Sequence, residues 1–163
     1  MRRNLLFVGA LALLAGCSGG SGTLQTNLPT AAQLRAVPLS LGVSGKTLTG
    51  ETYVWRNLMP ITTLVGEAPA KRGVIVSFTA RASDNTPIPG GLRAEKITVT
   101  NGDEVWASAD VEIRSDETTF GGVVRNGPEW PVGSALDVVI DFRDSTGDTY
   151  QLRAVGQVVQ GAF

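Results

Sequence analysis

A chain of 163 residues with one Cys and no His excludes an internal disulfide, a Cys/His zinc site and any Ser-His-Asp or Cys-His catalytic set. With 42% hydrophobic residues, 18% charged residues and a formal charge of −1, it has the composition of a globular domain with its own core, neither disordered nor collagen-like.

The chain opens on two positive charges, Arg2 and Arg3, followed by an apolar run from Leu5 to Leu14 broken only by Gly9. A charged start, a short apolar stretch and a small-residue exit make a secretory signal peptide, and the run is too short for the ~20 apolar residues of a transmembrane helix. The exit reads Leu14-Ala15-Gly16-Cys17. This segment resembles the lipobox of bacterial lipoproteins. The resemblance implies that Cys17 carries diacylglycerol, that residues 1–16 are removed, and that the new amino terminus is acylated. Each buried CH₂ of such chains contributes ~0.8 kcal/mol, so several together hold a protein on a membrane. Position 18 is Ser rather than Asp, which in the enterobacterial members favours the outer membrane over inner-membrane retention. The implied location is the cell envelope, with the folded domain outside the cytoplasm.

Removing residues 1–16 takes away two Arg and no acid, which leaves twelve basic against fifteen acidic residues, a balance of about −3. Nucleic acid is therefore not an expected partner, since its binders carry a basic stripe. Residues 17–33 read as the acylated Cys and a linker: Ser18-Gly19-Gly20-Ser21-Gly22 is flexible-coil composition, and polar, patternless sequence continues to about Ala32. Such a coil of about 16 residues reaches roughly 20–24 Å, enough to hold a domain off a lipid surface.

Residues 34–163 read as one β domain. Period-two alternation over 74–81, 105–114 and 136–143 predicts strands buried on one face. Further strands are expected at 34–43, 50–57, 94–100, 118–125 and 149–159. Residues 59–67 stay ambiguous between helix and strand. Eight short strands between turn signals predict an all-β, antiparallel sandwich of about seven to eight strands. The loop Ala82-Ser83-Asp84-Asn85-Thr86-Pro87-Ile88-Pro89-Gly90 resembles an inter-strand connection of bacterial immunoglobulin-like domains. That resemblance makes the expected sandwich immunoglobulin-like and implies no activity.

Two hairpins are predicted in detail. A three-residue loop Thr100–Gly102 pairs Ile97 with Val105, and a three-residue loop Ser145–Gly147 pairs Phe142 with Tyr150 and Ile140 with Leu152. Each register places apolar on apolar, with the Gly in the left-handed conformation. The first puts Trp106 on the outer face opposite Lys96, where a cation–π contact of ~0.5–1 kcal/mol is expected.

The candidate chemistry is sparse. Asp110 with Glu112, and Asp137 with Asp141, share strand faces as a carboxylate hydrolase or a solvated strand would arrange them. Asp144 opposes Asp148 across the second hairpin, a repulsion that a hard cation would relieve, although Asp-Ser-Thr-Gly-Asp lacks a full calcium-loop spacing. There is no phosphate loop, dinucleotide fingerprint or nucleophile elbow, and no cofactor is expected. The aromatics are the better binding candidates, because rigid rings give contact area at low entropic cost. Trp106 and Lys96 make one exposed pair. Trp130, between Glu129 and Pro131, either grips a partner or plugs an end of the sandwich. Tyr53 and Trp55 share a face, with Trp55 expected in the core. The sequence thus predicts a non-enzymatic, lipid-anchored envelope protein with a binding or structural role. Its partner is an envelope protein, a glycan or a small molecule. The alternatives are a glycan-binding module using Trp106 and Trp130, and a small hydrolase.

Overall fold

The computed structural model describes residues 28–59 and 72–163. Cys17, the signal segment and most of 59–67 lie outside the described residues. The rest forms a two-sheet antiparallel β-sandwich. One sheet runs β1 (Ser40–Val43), β2 (Lys46–Asn57), β3 (Val74–Ala82), β7 (Thr119–Val124) and β6 (Glu112–Ser115), with β10 (Gln160–Ala162) added parallel to the end of β2. The other runs β5 (Glu104–Ser108), β4 (Arg93–Asn101), β8 (Ala135–Arg143) and β9 (Thr149–Val158).

The alternation read in the sequence builds the core. Val76, Phe78 and Ala80 of β3 and Phe120 and Val124 of β7 face Ile97 and Val99 of β4, Val138, Ile140 and Phe142 of β8, and Leu152 of β9. Each such fully buried Val, Leu, Ile or Phe stabilises the fold by about 1.5–3 kcal/mol. The Phe120 and Phe142 rings meet across the sheets at 4.8 Å and 57°.

The second hairpin has the expected register: Phe142 opposes Tyr150, Ile140 opposes Leu152, and Gly147 has φ 96°. The first does not. Its loop is two residues, Gly102-Asp103, with Asn101 opposite Glu104 and Val99 opposite Trp106. Gly102 alone takes positive φ, 61°, the pattern of a type II′ turn. Trp106 is therefore on the core-facing side and packs against the core. Lys96 instead lies opposite Asp141 and binds it at 2.6 Å, so the expected Lys96–Trp106 contact is replaced by an ion pair.

Two further expectations are corrected. Residues 105–114 are not one strand. The chain leaves β5 at Ser108 and enters β6, in the opposite sheet, at Glu112. Residues 34–43 are not one strand either. Leu34 belongs to a short helix, α1 (Ala31–Arg35), and only Ser40–Val43 is extended. Thr30 and Gln33 form a capping box at the start of α1, which offsets the poor stability of so short a helix. Leu34 and Val37 then bury against Val139 and Val105 on the outer face of the second sheet. Arg35 donates to the Gly102 carbonyl at 2.6 Å, and Arg153 Nε donates to the Val37 carbonyl at 3.0 Å. The second sheet is thus covered on both faces where α1 lies.

Candidate binding surface

The two ends of the sandwich are built differently. At one end Trp130 is 5% exposed and belongs to the core cluster. Its indole N–H donates to Glu104 Oε2 at 2.6 Å. Arg56 holds the loop from below, donating Nη1 to the carbonyls of Glu129 and Trp130 at 3.2 and 3.1 Å and Nε to the Arg72 carbonyl at 2.8 Å. Trp130 is a plug and offers no ring face to a sugar. With Trp106 half-buried on the core, the two rings do not form an exposed platform.

At the other end three loops repeat one device, Asp-x-Thr. Asp84, Asp116 and Asp144 each accept the backbone N–H and the hydroxyl of the Thr two residues later, at 3.1 and 2.6, 2.7 and 2.9, and 2.9 and 2.6 Å respectively. These local bonds close the turns. They also relieve the charge problem at the second hairpin. Asp144 accepts from the Asp148 N–H at 3.0 Å and from the Tyr150 hydroxyl at 3.1 Å, so the loop's own donors occupy the oxygens a cation would need. Among the described residues no group of three or more His, Cys, Asp or Glu is placed to hold a metal. Asp-x-Thr is the signal in the sequence that identifies these acids as turn formers.

The same bonds shift the titrations. The Thr86 hydroxyl and N–H, with Lys46 beside them, hold Asp84 down at about 2. The Thr118 N–H and hydroxyl, with those of Thr119, hold Asp116 at about 2. Asp144 is lowered, chiefly by the Thr146 hydroxyl, and the Tyr150 phenol is raised, chiefly by its hydrogen bond to Asp144. A carboxylate lowered in the folded state contributes stability above its unfolded value of about 3.9, and loses it as pH falls through the folded value. With no His in the chain, thermal unfolding followed by circular dichroism is expected to give a flat midpoint from pH 8 to 5 and a decline between pH 4 and 2. A decline already complete at pH 5 would contradict these assignments.

Of the acids read as hydrolase candidates, Glu112, Asp137 and Asp141 are held in ion pairs, and Asp110 lies in the β5–β6 connection rather than on one strand with Glu112. Glu112 bonds Arg114 and Arg125, at 2.8 and 3.4 Å. Asp137 lies between Arg35 and Arg153, 3.8 Å from each, under the α1 segment. Asp141 is held by Lys96 and by Gln151, the latter at 2.7 Å. An apolar recess of about 320 Å³ lies at the Asp-x-Thr end, between Ile88, Leu92 and Phe120, with Asp116 and Glu117 at its rim.

The exposed aromatic surface lies on the outer face of the first sheet. Tyr53 is 56% exposed and Trp55 half-exposed, their ring centroids 5.2 Å apart and tilted by 32°. Trp55 is thus outside the core, contrary to expectation, because Val54 and Leu48 take the inward positions of β2. Ile75 lies opposite Trp55, Ser77 opposite Tyr53, and the Glu51–Arg81 ion pair borders the rings. Such a face offers flat apolar area edged by hydroxyls and charge, suited to a sugar ring or a protein side chain. Comparison with protein-family models, curated proteins and solved structures gave no match.

Proposed function

We propose that this chain is a lipid-anchored, immunoglobulin-like domain of the bacterial cell envelope that holds a binding surface away from the membrane. The observation that carries the reading is Leu14-Ala15-Gly16-Cys17 after a charged start and a short apolar run. Two features support it. The strand order β2-β3-β7-β6 against β5-β4-β8-β9 fits an immunoglobulin sandwich, whose first, second, fifth and fourth strands share a sheet. The α1 segment, which receives the tether, packs on the outer face of the second sheet, opposite the sheet that carries Tyr53 and Trp55. Tension from an anchor at Cys17 therefore turns the aromatic face outward. Ser at position 18 favours the outer membrane. A glycan is the alternative ligand of this face, favoured by the exposed Tyr53–Trp55 pair.

The anchor is tested by expressing the full chain in a bacterium with the lipoprotein pathway. Membrane fractionation and intact mass are expected to show all of the protein in the membrane, beginning at an acylated Cys17. Cys17→Ser is expected to abolish both the acyl mass and the membrane attachment. An unmodified Cys17 behind an intact leader would defeat the proposal.

A further inference from the structure

Strand β2 runs through twelve residues, and among the described residues its flank away from β3 is paired with other strands only at its ends, with β9 of the second sheet also close to β2. β1 pairs with Lys46–Thr49, and β10 with Trp55–Asn57. The backbone polarity of the interval follows from its neighbours. Val74 donates its N–H to the Pro128 carbonyl at 3.0 Å and accepts the Gly127 N–H at 3.1 Å, so Val74 is turned away from β2. Alternation then turns Ile75, Ser77 and Thr79 toward β2, where they meet Trp55, Tyr53 and Glu51. The intervening Gly50, Thr52 and Val54 aim their N–H and C=O groups at the other flank. Leu58 obeys the same alternation, donating to Ala162 of the covered part at 2.8 Å. Among the described residues no ladder reaches Gly50 or Thr52 on this flank, and no turn or loop bond does so.

The chain's own candidate for the gap is diverted. Continuing β1 backward would set Leu39 against Gly50, but the Pro38 carbonyl is taken by the Arg153 N–H at 2.9 Å. Leu39 is left 48% exposed at one end of the interval, and Val158, two residues before the β10 partner of Trp55, 41% exposed at the other. In the middle, the Thr52 hydroxyl is buried without a hydrogen-bond partner.

We propose that the stretch of β2 from Gly50 to Val54 is an acceptor slot for a short extended peptide of a partner protein. A row of alternating N–H and C=O groups at strand spacing is matched by one chemistry, an extended polypeptide, which adds to the sheet as a new strand. The five positions, bounded by β1 and β10, admit about 16 Å of strand. Specificity comes from the side chains. The Phe78 ring fills the space over Gly50 and leaves no room for a Cβ there, which calls for a small residue opposite. Thr52 calls for Ser, Thr or Asn, and exposed Tyr53 for an apolar or aromatic residue. This inference rests on the reading of the domain as a presented binding module. It can fail while the anchor stands, because membrane attachment does not involve β2.

The probe is a phage-displayed heptapeptide library selected on the mature chain in detergent micelles. Selected peptides are expected to slow amide exchange at Gly50 and Thr52 at least tenfold, while Glu51 and Tyr53, already bonded to β3, stay unchanged. Thr52→Pro is expected to weaken binding at least tenfold. It removes an N–H that β3 does not use, and such edge positions tolerate Pro. Circular dichroism checks its fold. Should it not fold, the selected peptide N-methylated at alternate amides replaces it, with one of the two methylation registers losing binding. A library that yields no binder overturns the proposal, as do binders indifferent to both Thr52→Pro and N-methylation, or slow exchange at Gly50 and Thr52 in the free monomer. A dimer abolished by Thr52→Pro makes a second copy the occupant and equally overturns the peptide assignment.

Discussion

Phe142→Ala is expected to cost about 3–5 kcal/mol, the usual range for deleting a buried aromatic ring, and to lower the thermal midpoint by about 10–15 °C. Phe142 is fully buried, and its ring lies 4.8 Å from that of Phe120 and 5.4 Å from that of Tyr150. It therefore joins the inner faces of both sheets to the turn that carries Asp144. Truncation leaves a cavity that two rigid rings cannot collapse into, so the cost includes both the lost transfer energy and the void. Domains of this size are stable by about 5–15 kcal/mol, so the variant stands near its unfolding threshold. Phe142→Leu, which retains most of the volume, is expected to lose less than half as much. Denaturant titration of both variants reads the difference directly. A Phe142→Ala midpoint within 3 °C of the parent would mean that this ring is not part of the core.

The place of Phe142 is legible in the sequence because the end of β8 that carries it, beyond the reach of α1, is buried on one face only. Ile140 and Phe142 alternate with Asp141 and Arg143, and a single register of the β8–β9 hairpin places them against Leu152 and Tyr150. The β4–β5 hairpin defeats the same reasoning for a physical reason. Val105 and Trp106 are adjacent, so they point to opposite faces, yet both are covered. Trp106 packs on the core between the sheets, and Val105 on the cluster formed with Leu34, Val37 and Val139. When both faces bury apolar residues, matching apolar with apolar no longer selects one register. The deciding element is α1, a five-residue helix too short for a 3.6-residue repeat to be visible. Its one local signal is the capping box of Thr30 and Gln33. The aromatic face is half legible. That Tyr53 and Trp55 share a side follows from their spacing. That this side is the outer one depends on Leu48 and Val54 claiming the inward positions, which a strand with apolar residues in both phases does not decide by itself. Likewise, β5 and β6 look continuous because nothing in Ser108-Ala109-Asp110-Val111 marks the point where the chain changes sheets.

Trp130→Ala is expected to be as damaging as the loss of Phe142, about 3–5 kcal/mol, and Trp130→Phe much less, about 1 kcal/mol. The ring closes the end of the sandwich where the loop joining β7 to β8 passes over the core, and Arg56 ties that loop to β2 and to Arg72. Removing the indole opens the core to water, whereas a phenyl ring still fills most of the space. What Phe cannot supply is the N–H donated to Glu104. Because Glu104 is exposed, its carboxylate regains water when the donor is lost, and the cost stays that of one hydrogen bond rather than of an unpaired buried charge. A double-mutant cycle of Trp130→Phe with Glu104→Ala isolates that bond. Emission gives an independent reading. Trp130 is the one fully buried indole of the three, with Trp55 and Trp106 half-exposed, so Trp130→Phe removes the bluest component and shifts the folded spectrum to the red. If Trp130 were instead a gripping residue on an open surface, both substitutions would leave stability unchanged and the spectrum would shift the other way.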